Sequence, residues 1–234
     1  MDPSKKLLVL GGTSSLAEGI LRLALQEQYS ITATYRTESK IFNHSEIVWL
    51  PLDISKINEI EEFLDSLTSE RFGRIIYLIG ETSKGMNGQL SPNKISAFLQ
   101  TYLLNSCFLI KSLSSYIYDE QSSNFTYMSS RSALYGSYDW LYGMSKAGLQ
   151  NLITSLGNFD STPGRFISVA PGLIRGSNME NEMELDTRKK HSDAAKTFGQ
   201  ELLTVSELAT EVWQISSKFK ENAKSGVIEV GPIY

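Results

Sequence analysis

The chain has 234 residues, a length that suits one α/β domain better than two. Hydrophobic residues make up 41% and charged residues 21%, so a sizeable core is possible, and a disordered or collagen-like chain is excluded. The formal net charge is −4 and the isoelectric point is about 5.4. Since no basic stripe is present, nucleic acid is not an expected partner.

Cysteine, histidine and apolar content exclude further classes. A single cysteine, Cys107, cannot form an internal disulfide, and it lies in an apolar run typical of a buried thiol. His44 and His191 stand in polar surroundings without ligand spacing, so no metal site is expected. No apolar stretch approaches the roughly 20 residues of a membrane helix or the length of a signal peptide's core. We therefore expect no membrane partner and a cytoplasmic location.

Strand-like and helix-like segments alternate along the chain. Such alternation, without internal repeats or linkers, predicts one domain over residues 1–234, built on a parallel sheet covered on both faces. The polar, poorly patterned segment 177–197 is interpreted as an excursion over the substrate side of a site. Strands are predicted at 6–10, 30–35, 47–52, 74–79, 124–128, 165–170 and 226–230, and helices at 16–26, 58–67, 94–116, 140–156 and 206–219.

The first predicted strand leads through a turn of small residues into a helix. Such a turn lets a dinucleotide's phosphates approach the backbone and the positive end of the helix dipole. An ordinary strand-to-helix turn capped by serine would also fit the turn taken alone. As cofactor-phosphate contacts we expect Gly11, Thr13, Ser14, Ser15 and Leu16.

The end of the second strand bears on the choice of cofactor. Arg36 stands where an acidic residue would accept from the ribose 2′-hydroxyl of NAD, and it offers a guanidinium to a 2′-phosphate instead. No carboxylate is expected to compete for it, so NADP(H) is expected, although a surface arginine is the alternative. After the third strand, Asp53 and Ile54 are placed at the adenine, and a helix-capping role for Asp53 is equally compatible.

A tyrosine and a lysine lie four residues apart in a predicted helix. Tyr142 and Lys146 therefore share a helical face, where an ammonium would lower the tyrosine pKa and favour the phenolate. Reaching a pKa of about 7 from the reference value of about 10 requires roughly 4 kcal/mol. Upstream, Ser130 ends a strand and could hold a substrate carbonyl oxygen while the phenol donates its proton.

Through these motifs, residues 6–230 resemble the short-chain dehydrogenase/reductase family, in particular its ketoreductases. The family's glycine turn corresponds to Gly11, Ser15 and Ala17, its serine segment to Ser129-Ser130, and its Tyr-x-x-x-Lys motif to Tyr142 and Lys146. The resemblance implies that Ser130 orients the carbonyl, Tyr142 is the acid/base, and Lys146 binds the nicotinamide ribose.

The resemblance also implies a fold, an assembly and further contacts. The fold is a Rossmann-type, doubly wound parallel sheet of about seven strands, and members of the family form homodimers or homotetramers. Gly80 closes the segment that replaces the family's Asn-Asn-Ala-Gly, and it is expected at the cofactor. Pro171 and Gly172 match the family's Pro-Gly, and the backbone at Ile174 would meet the nicotinamide carboxamide.

One departure concerns the family's catalytic asparagine. Spacing from Ser130 and the local pattern place Leu103 at that position, with Asn105 two residues further on and facing elsewhere. The asparagine holds a water of the family's proton relay.

Three functions remain open. The first is an NADPH-dependent ketoreductase whose substrate meets Tyr138 and Trp140, although these rings would also suit subunit packing. The second, favoured by Leu103, is a cofactor-binding sensor or complex subunit with weak or no catalysis. The third, dehydration or epimerisation of a sugar nucleotide, is disfavoured by the short chain.

Overall fold

A computed structural model describes the chain at residues 2–38, 41–42, 44–82, 91–118, 122–137, 139–161, 164–177, 180–181, 185–197, 201–218 and 225–231. The described residues form a seven-stranded, fully parallel sheet in the order β3-β2-β1-β4-β5-β6-β7. The predicted doubly wound sheet is thereby confirmed. The strands are β1 Lys6–Leu10, β2 Ser30–Tyr35, β3 Ile47–Pro51, β4 Arg74–Tyr77, β5 Asn124–Met128, β6 Arg165–Pro171 and β7 Ser225–Val230.

The helices cover both faces of this sheet, as the alternating pattern predicts. Between α3 and α4 the helix winds as a π-helix over Gln100–Asn105. The described α-helices are α1 Ser15–Gln26, α2 Ile57–Ser66, α3 Pro92–Leu99, α4 Ser106–Leu113, α5 Ser132–Tyr135, α6 Trp140–Phe159, α7 Leu185–Thr197 and α8 Val205–Lys218.

Two hydrophobic clusters hold the layers together. On one face of the sheet α1 and α8 pack together so closely that a Cβ added to Gly19 would lie 2.7 Å from the Cβ of Ala209. On the other face, residues of α2, α4 and α6 pack on the alternate side chains of the central strands. Strand β1 is buried on both faces, which explains its continuous apolar run.

The segment 177–197 is more regular than its sequence pattern predicts. It contains α7, which is polar and lacks an apolar stripe, so periodicity gives no signal for it. The short α5 is also absent from the predicted elements, since four residues cannot show a helical period. Whether this segment covers a substrate stays a prediction.

Candidate active site

The expected site residues meet at the carboxyl edge of the sheet. Strand β1 pairs with β2 on one side and with β4 on the other, so the crossovers change direction at β1. In open α/β sheets the crevice at such a switch point is the usual place for a ligand. The turn after β1, the segment after β4 and the N-terminal part of α6 all face this region.

The glycines of the first turn serve close packing of the turn onto the sheet. Gly11 has φ +81°, a conformation that L side chains rarely adopt, and its N–H donates to Thr34 Oγ1 at 3.0 Å. A Cβ on Gly12 would lie 2.8 Å from the ring of Trp49, so a larger residue would lift the turn off β2. The small residues therefore fix the position of the N-terminus of α1.

The same turn presents free donors. Among the described residues, the backbone N–H groups of Thr13, Ser14, Ser15 and Leu16 make no hydrogen bond to another protein group. The Ser14 hydroxyl caps α1 by accepting from the N–H of Ala17 at 3.1 Å. Four unpaired N–H groups at the start of a twelve-residue helix fit the diphosphate of a dinucleotide.

Arg36 follows β2, and its side chain is largely exposed. Its Nη1 lies 3.8 Å from Oε2 of Glu81, which follows Gly80 after β4. The expectation that no carboxylate competes for Arg36 is therefore wrong in the fold. Pattern analysis along one strand cannot detect an acid that the fold brings alongside from a strand distant in sequence, here from β4 across β1.

Asp53 has a local structural role. Its Oδ1 accepts from the backbone N–H of Ser55 at 3.0 Å and from the Ser55 hydroxyl at 2.8 Å. Partial burial acts to raise the pKa of Asp53, but these hydrogen bonds outweigh it, and the pKa is lowered on balance. The carbonyl of Ile54 accepts from Asn105 Nδ2 at 2.8 Å, so both expected adenine contacts belong to an ordered turn.

Tyr142 and Lys146 lie together on the buried side of α6, as their spacing predicts. Asp139 caps this helix by accepting from the backbone N–H of Tyr142 at 3.0 Å. Both side chains line one small pocket together with Gly80, whose added Cβ would lie 2.8 Å from Lys146 Nζ. A larger residue at position 80 would therefore force the end of the Lys146 side chain to move.

The ammonium of Lys146 is held by the end of β5. Its Nζ donates to the carbonyl oxygen of Met128 at 2.7 Å and lies 5.7 Å from the ring centre of Tyr142. Burial lowers the pKa of Lys146 to about 7, and within the described residues no carboxylate is paired with it.

The two serines after β5 have different surroundings. Ser129 is buried, and its hydroxyl donates to Gln150 Oε1 of α6 at 2.7 Å. Ser130 is partly exposed at the carboxyl edge, and its hydroxyl accepts from the N–H of Ser132 at 3.2 Å. This difference favours Ser130 as the residue that faces a bound carbonyl.

The remaining expected contacts lie near this edge or outside the description. Pro171 ends β6, the N–H of Gly172 donates to the carbonyl of Val230 at 3.3 Å, and Ile174 is buried two residues later. Trp140 is half exposed. It precedes Tyr142 by two residues, which is a rotation of about 200° around the helix axis, so the two side chains do not share a face. Tyr138 lies outside the described residues.

Leu103 packs against α6. Its Cδ1 would lie 2.7 Å from a Cβ added to Gly148, so leucine and glycine are complementary here. Asn105 is buried, and both ends of its amide have partners. Its Nδ2 donates to the carbonyl of Ile54 and its Oδ1 accepts from Gln100 Nε2, both at 2.8 Å. The π-helical winding that contains both residues often marks a functional position in a helix.

Sequence reasoning missed most of the pocket wall, including its polar pair Glu81 and Tyr102. Both line the pocket together with Lys146, and the Tyr102 hydroxyl donates to Glu81 Oε2 at 2.7 Å. A Tyr placed next to the position of the missing asparagine was the available signal. Among the described residues no cluster of His, Cys, Asp and Glu could hold a metal ion. Likewise, no described helix is both long and apolar enough to cross a membrane.

Comparison with known proteins agrees with this geometry. The family model for short chain dehydrogenases matches residues 5–188. No curated protein sequence matches the chain significantly. A short chain dehydrogenase family protein from Francisella tularensis is 19% identical, with a TM-score of 0.78 over 96% of each chain.

Two further similar structures contain nicotinamide cofactors. The 3-ketoacyl-(acyl-carrier-protein) reductase from Brucella melitensis, complexed with NADH, is 14% identical; its TM-score is 0.80 over 97% of this chain and 96% of its own. BdcA, in complex with NADPH, is 16% identical; its TM-score is 0.76 over 98% of this chain and 95% of its own. At these identities the similarity of the structures shows the fold.

Proposed function

Because the chain belongs to the short-chain dehydrogenase family, whose members are oxidoreductases that bind nicotinamide cofactors, we propose that it is an NADP(H)-dependent carbonyl reductase. The observation that carries this proposal is the pocket in which Tyr142, Lys146 and Gly80 meet at the carboxyl edge of the sheet. The unpaired N–H groups at the start of α1 and the exposed Arg36 support the choice of a phosphorylated dinucleotide.

Each residue of the site has one task in this proposal. The cofactor, when bound, supplies the hydride. Ser130 donates a hydrogen bond to the substrate carbonyl oxygen, and Tyr142 transfers its proton to that oxygen as negative charge develops. In its protonated form Lys146 stabilises the phenolate left on Tyr142, since a neighbouring positive charge favours the ionised phenol. In the opposite direction, the Tyr142 phenolate accepts the proton of an alcohol.

The experiment is a substrate screen with two cofactors. NADPH and NADH fluorescence would be followed while ketones, acyl thioesters and sugar ketones are added to the purified protein. The proposal predicts oxidation of NADPH by at least one carbonyl class and a lower rate with NADH. Turnover that is equal with both cofactors would contradict the NADP(H) assignment.

A second candidate is a cofactor-binding sensor or complex subunit with weak or no catalysis. It is favoured by Leu103, which fills the asparagine position with an apolar side chain packed against Gly148. The pairing of Tyr142 with Lys146 argues against it, because cofactor binding would use the lysine but does not require a phenol placed to transfer a proton. Tight NADPH binding without turnover of any carbonyl class would decide for this candidate.

We also propose a homodimer or homotetramer. Leu104 and Phe108 are exposed one turn apart on the helix that ends in α4, and Trp140 and Met144 are exposed one turn apart on the adjacent α6. Exposed apolar side chains grouped on adjacent helices mark an interaction surface. A cytoplasmic location and a substrate-side role for the segment 177–197 stay predictions.

A further inference from the structure

The carboxylate of Glu81 stands between the cofactor-selecting arginine and the catalytic pocket. Its Oε2 lies 3.8 Å from Arg36 Nη1 and accepts the Tyr102 hydroxyl at 2.7 Å. These residues come from three separate places: the end of β2, the segment after β4 and the π-helical segment before α4. None of them is near another in sequence, so the contact is produced by the fold.

Tyr102 keeps Glu81 in this position. Its ring is packed 4.8 Å from the ring of Phe98, centre to centre, on the wall of the pocket. Burial and the neighbouring Glu81 raise the pKa of Tyr102 to about 12, so the hydroxyl keeps its proton and continues to donate at neutral pH. A carboxylate that is held by a fixed donor cannot simply rotate into solvent when a ligand arrives.

Two anions would therefore compete for one guanidinium. A 2′-phosphate needs Arg36 as its partner and is repelled by a carboxylate beside that partner. The 2′-hydroxyl of NADH makes neither demand. Building on the proposed function, we propose that Glu81 is a selectivity-determining residue, which lowers the preference for NADPH over NADH by sharing Arg36.

The expected effect is moderate. Arg36 and Glu81 are both partly exposed and their charged atoms are 3.8 Å apart, so solvent screens their attraction. Removing the charge of Glu81 should therefore strengthen NADPH binding by about two- to fivefold and leave NADH binding nearly unchanged.

The test is a fluorescence titration of NADPH and NADH in four proteins: the unmodified chain, Glu81→Gln, Arg36→Ala and the double variant. Reduced nicotinamide is itself the probe, so no substrate or turnover is needed. Glu81→Gln should raise the ratio of the NADH to the NADPH dissociation constant by about two- to fivefold. Arg36→Ala should weaken NADPH by about tenfold or more, and in that background Glu81→Gln should have no effect on the ratio.

A matched control is Glu18→Gln. Glu18 lies in the first turn of α1, close to the phosphate-binding turn, and is paired with Arg22 at 2.7 Å. Its loss changes the net charge equally but should affect both cofactors alike.

The outcomes separate this inference from the function on which it rests. If Arg36→Ala weakens NADPH but Glu81→Gln leaves the ratio unchanged, only the role of Glu81 is overturned. An effect of Glu81→Gln that persists without Arg36 also overturns it, because the carboxylate would then act on the phosphate directly. If Arg36→Ala leaves NADPH binding unchanged, both the role of Glu81 and the NADP(H) assignment fall.

Discussion

Lys146 Nζ donates its 2.7 Å hydrogen bond to the carbonyl oxygen of Met128, the last residue of β5. The bond joins the helix that carries Tyr142 to the strand that leads into Ser130. It therefore fixes the distance between the elements that supply the three expected catalytic side chains. A carbonyl group, however, carries no full charge, so the buried ammonium has no compensating anion among the described residues.

We expect Lys146 to make stability depend on pH near neutrality. Its pKa is about 7 in the folded chain and near its ordinary value of 10.5 when unfolded, so between these values the unfolded chain binds the extra proton. Stability should therefore rise with pH across this window, by up to about 1.4 kcal/mol per pH unit. Lys146→Met should remove the rise and be more stable than the unmodified protein near pH 7.

Urea unfolding of both proteins between about pH 7 and pH 8.5 measures this difference. The lower part of the window is chosen because the buried Tyr77 and Tyr127 have raised pKa values and affect stability only at higher pH. Taking the difference between the two proteins cancels the remaining groups. Parallel stability profiles would show that Lys146 is charged in the folded chain throughout the range.

Tyr142→Phe should abolish most turnover and preserve cofactor binding. Only the hydroxyl that transfers the proton is lost, and general acid catalysis contributes about a hundredfold to ten-thousandfold. The measurement is kcat for NADPH oxidation with the best carbonyl of the screen, together with the NADPH dissociation constant. Tyr135→Phe is the matched control, because its exposed hydroxyl donates to Glu229 outside the pocket. Full activity in Tyr142→Phe would mean that the chemistry occurs elsewhere.

Periodicity and local motifs predicted every strand of the sheet to within two residues at each end. They succeed because buried parallel strands read as continuous apolar runs, as Leu7 to Leu10 do. The pairing of Tyr142 with Lys146 was predictable for a similar reason, since residues four positions apart in a helix lie on the same face.

Contacts between separate elements could not be predicted in this way. Glu81 gives no signal in sequence as a partner of Arg36, because 45 positions separate them and β1 lies between their strands. The close approach of Lys146, on α6, to Gly80 is equally hidden in the sequence. Such contacts depend on the register of the strands, which one sequence does not specify.

The exposed apolar side chains on α4 and α6 provide a test of assembly. Phe108→Glu should shift the protein towards monomers, because a charge would be buried in the interface. Val48→Glu, on the edge strand β3, is the control, since Val48 is also exposed and apolar but lies at one end of the sheet. Light scattering coupled to size-exclusion chromatography gives the mass of each protein. A monomeric unmodified chain, or equal masses in Phe108→Glu and the unmodified protein, would contradict the proposed surface.

Leu103 offers the sharpest choice between an enzyme and a binding protein. If the family's mechanism operates, the proton must reach solvent without an asparagine-held water, and Asn105 cannot replace it because Ile54 and Gln100 occupy its amide. The pocket provides another polar wall, since Tyr102 and Glu81 line it together with Lys146, and Glu81 reaches solvent. If protons reach the site past this wall, the replacement of the family's asparagine by Leu103 does not slow turnover.

We therefore expect Leu103→Asn to change kcat by less than about tenfold, equivalent to about 1.4 kcal/mol of barrier. The variant should also unfold more readily, because the amide would replace an apolar contact with Gly148. Val48→Asn is the control for introducing an exposed amide, since Val48 is exposed on the edge strand β3 and outside the pocket. A rise in kcat of about a hundredfold or more in Leu103→Asn would show that proton resupply limits the natural chain, and it would support a protein that has moved towards a binding role.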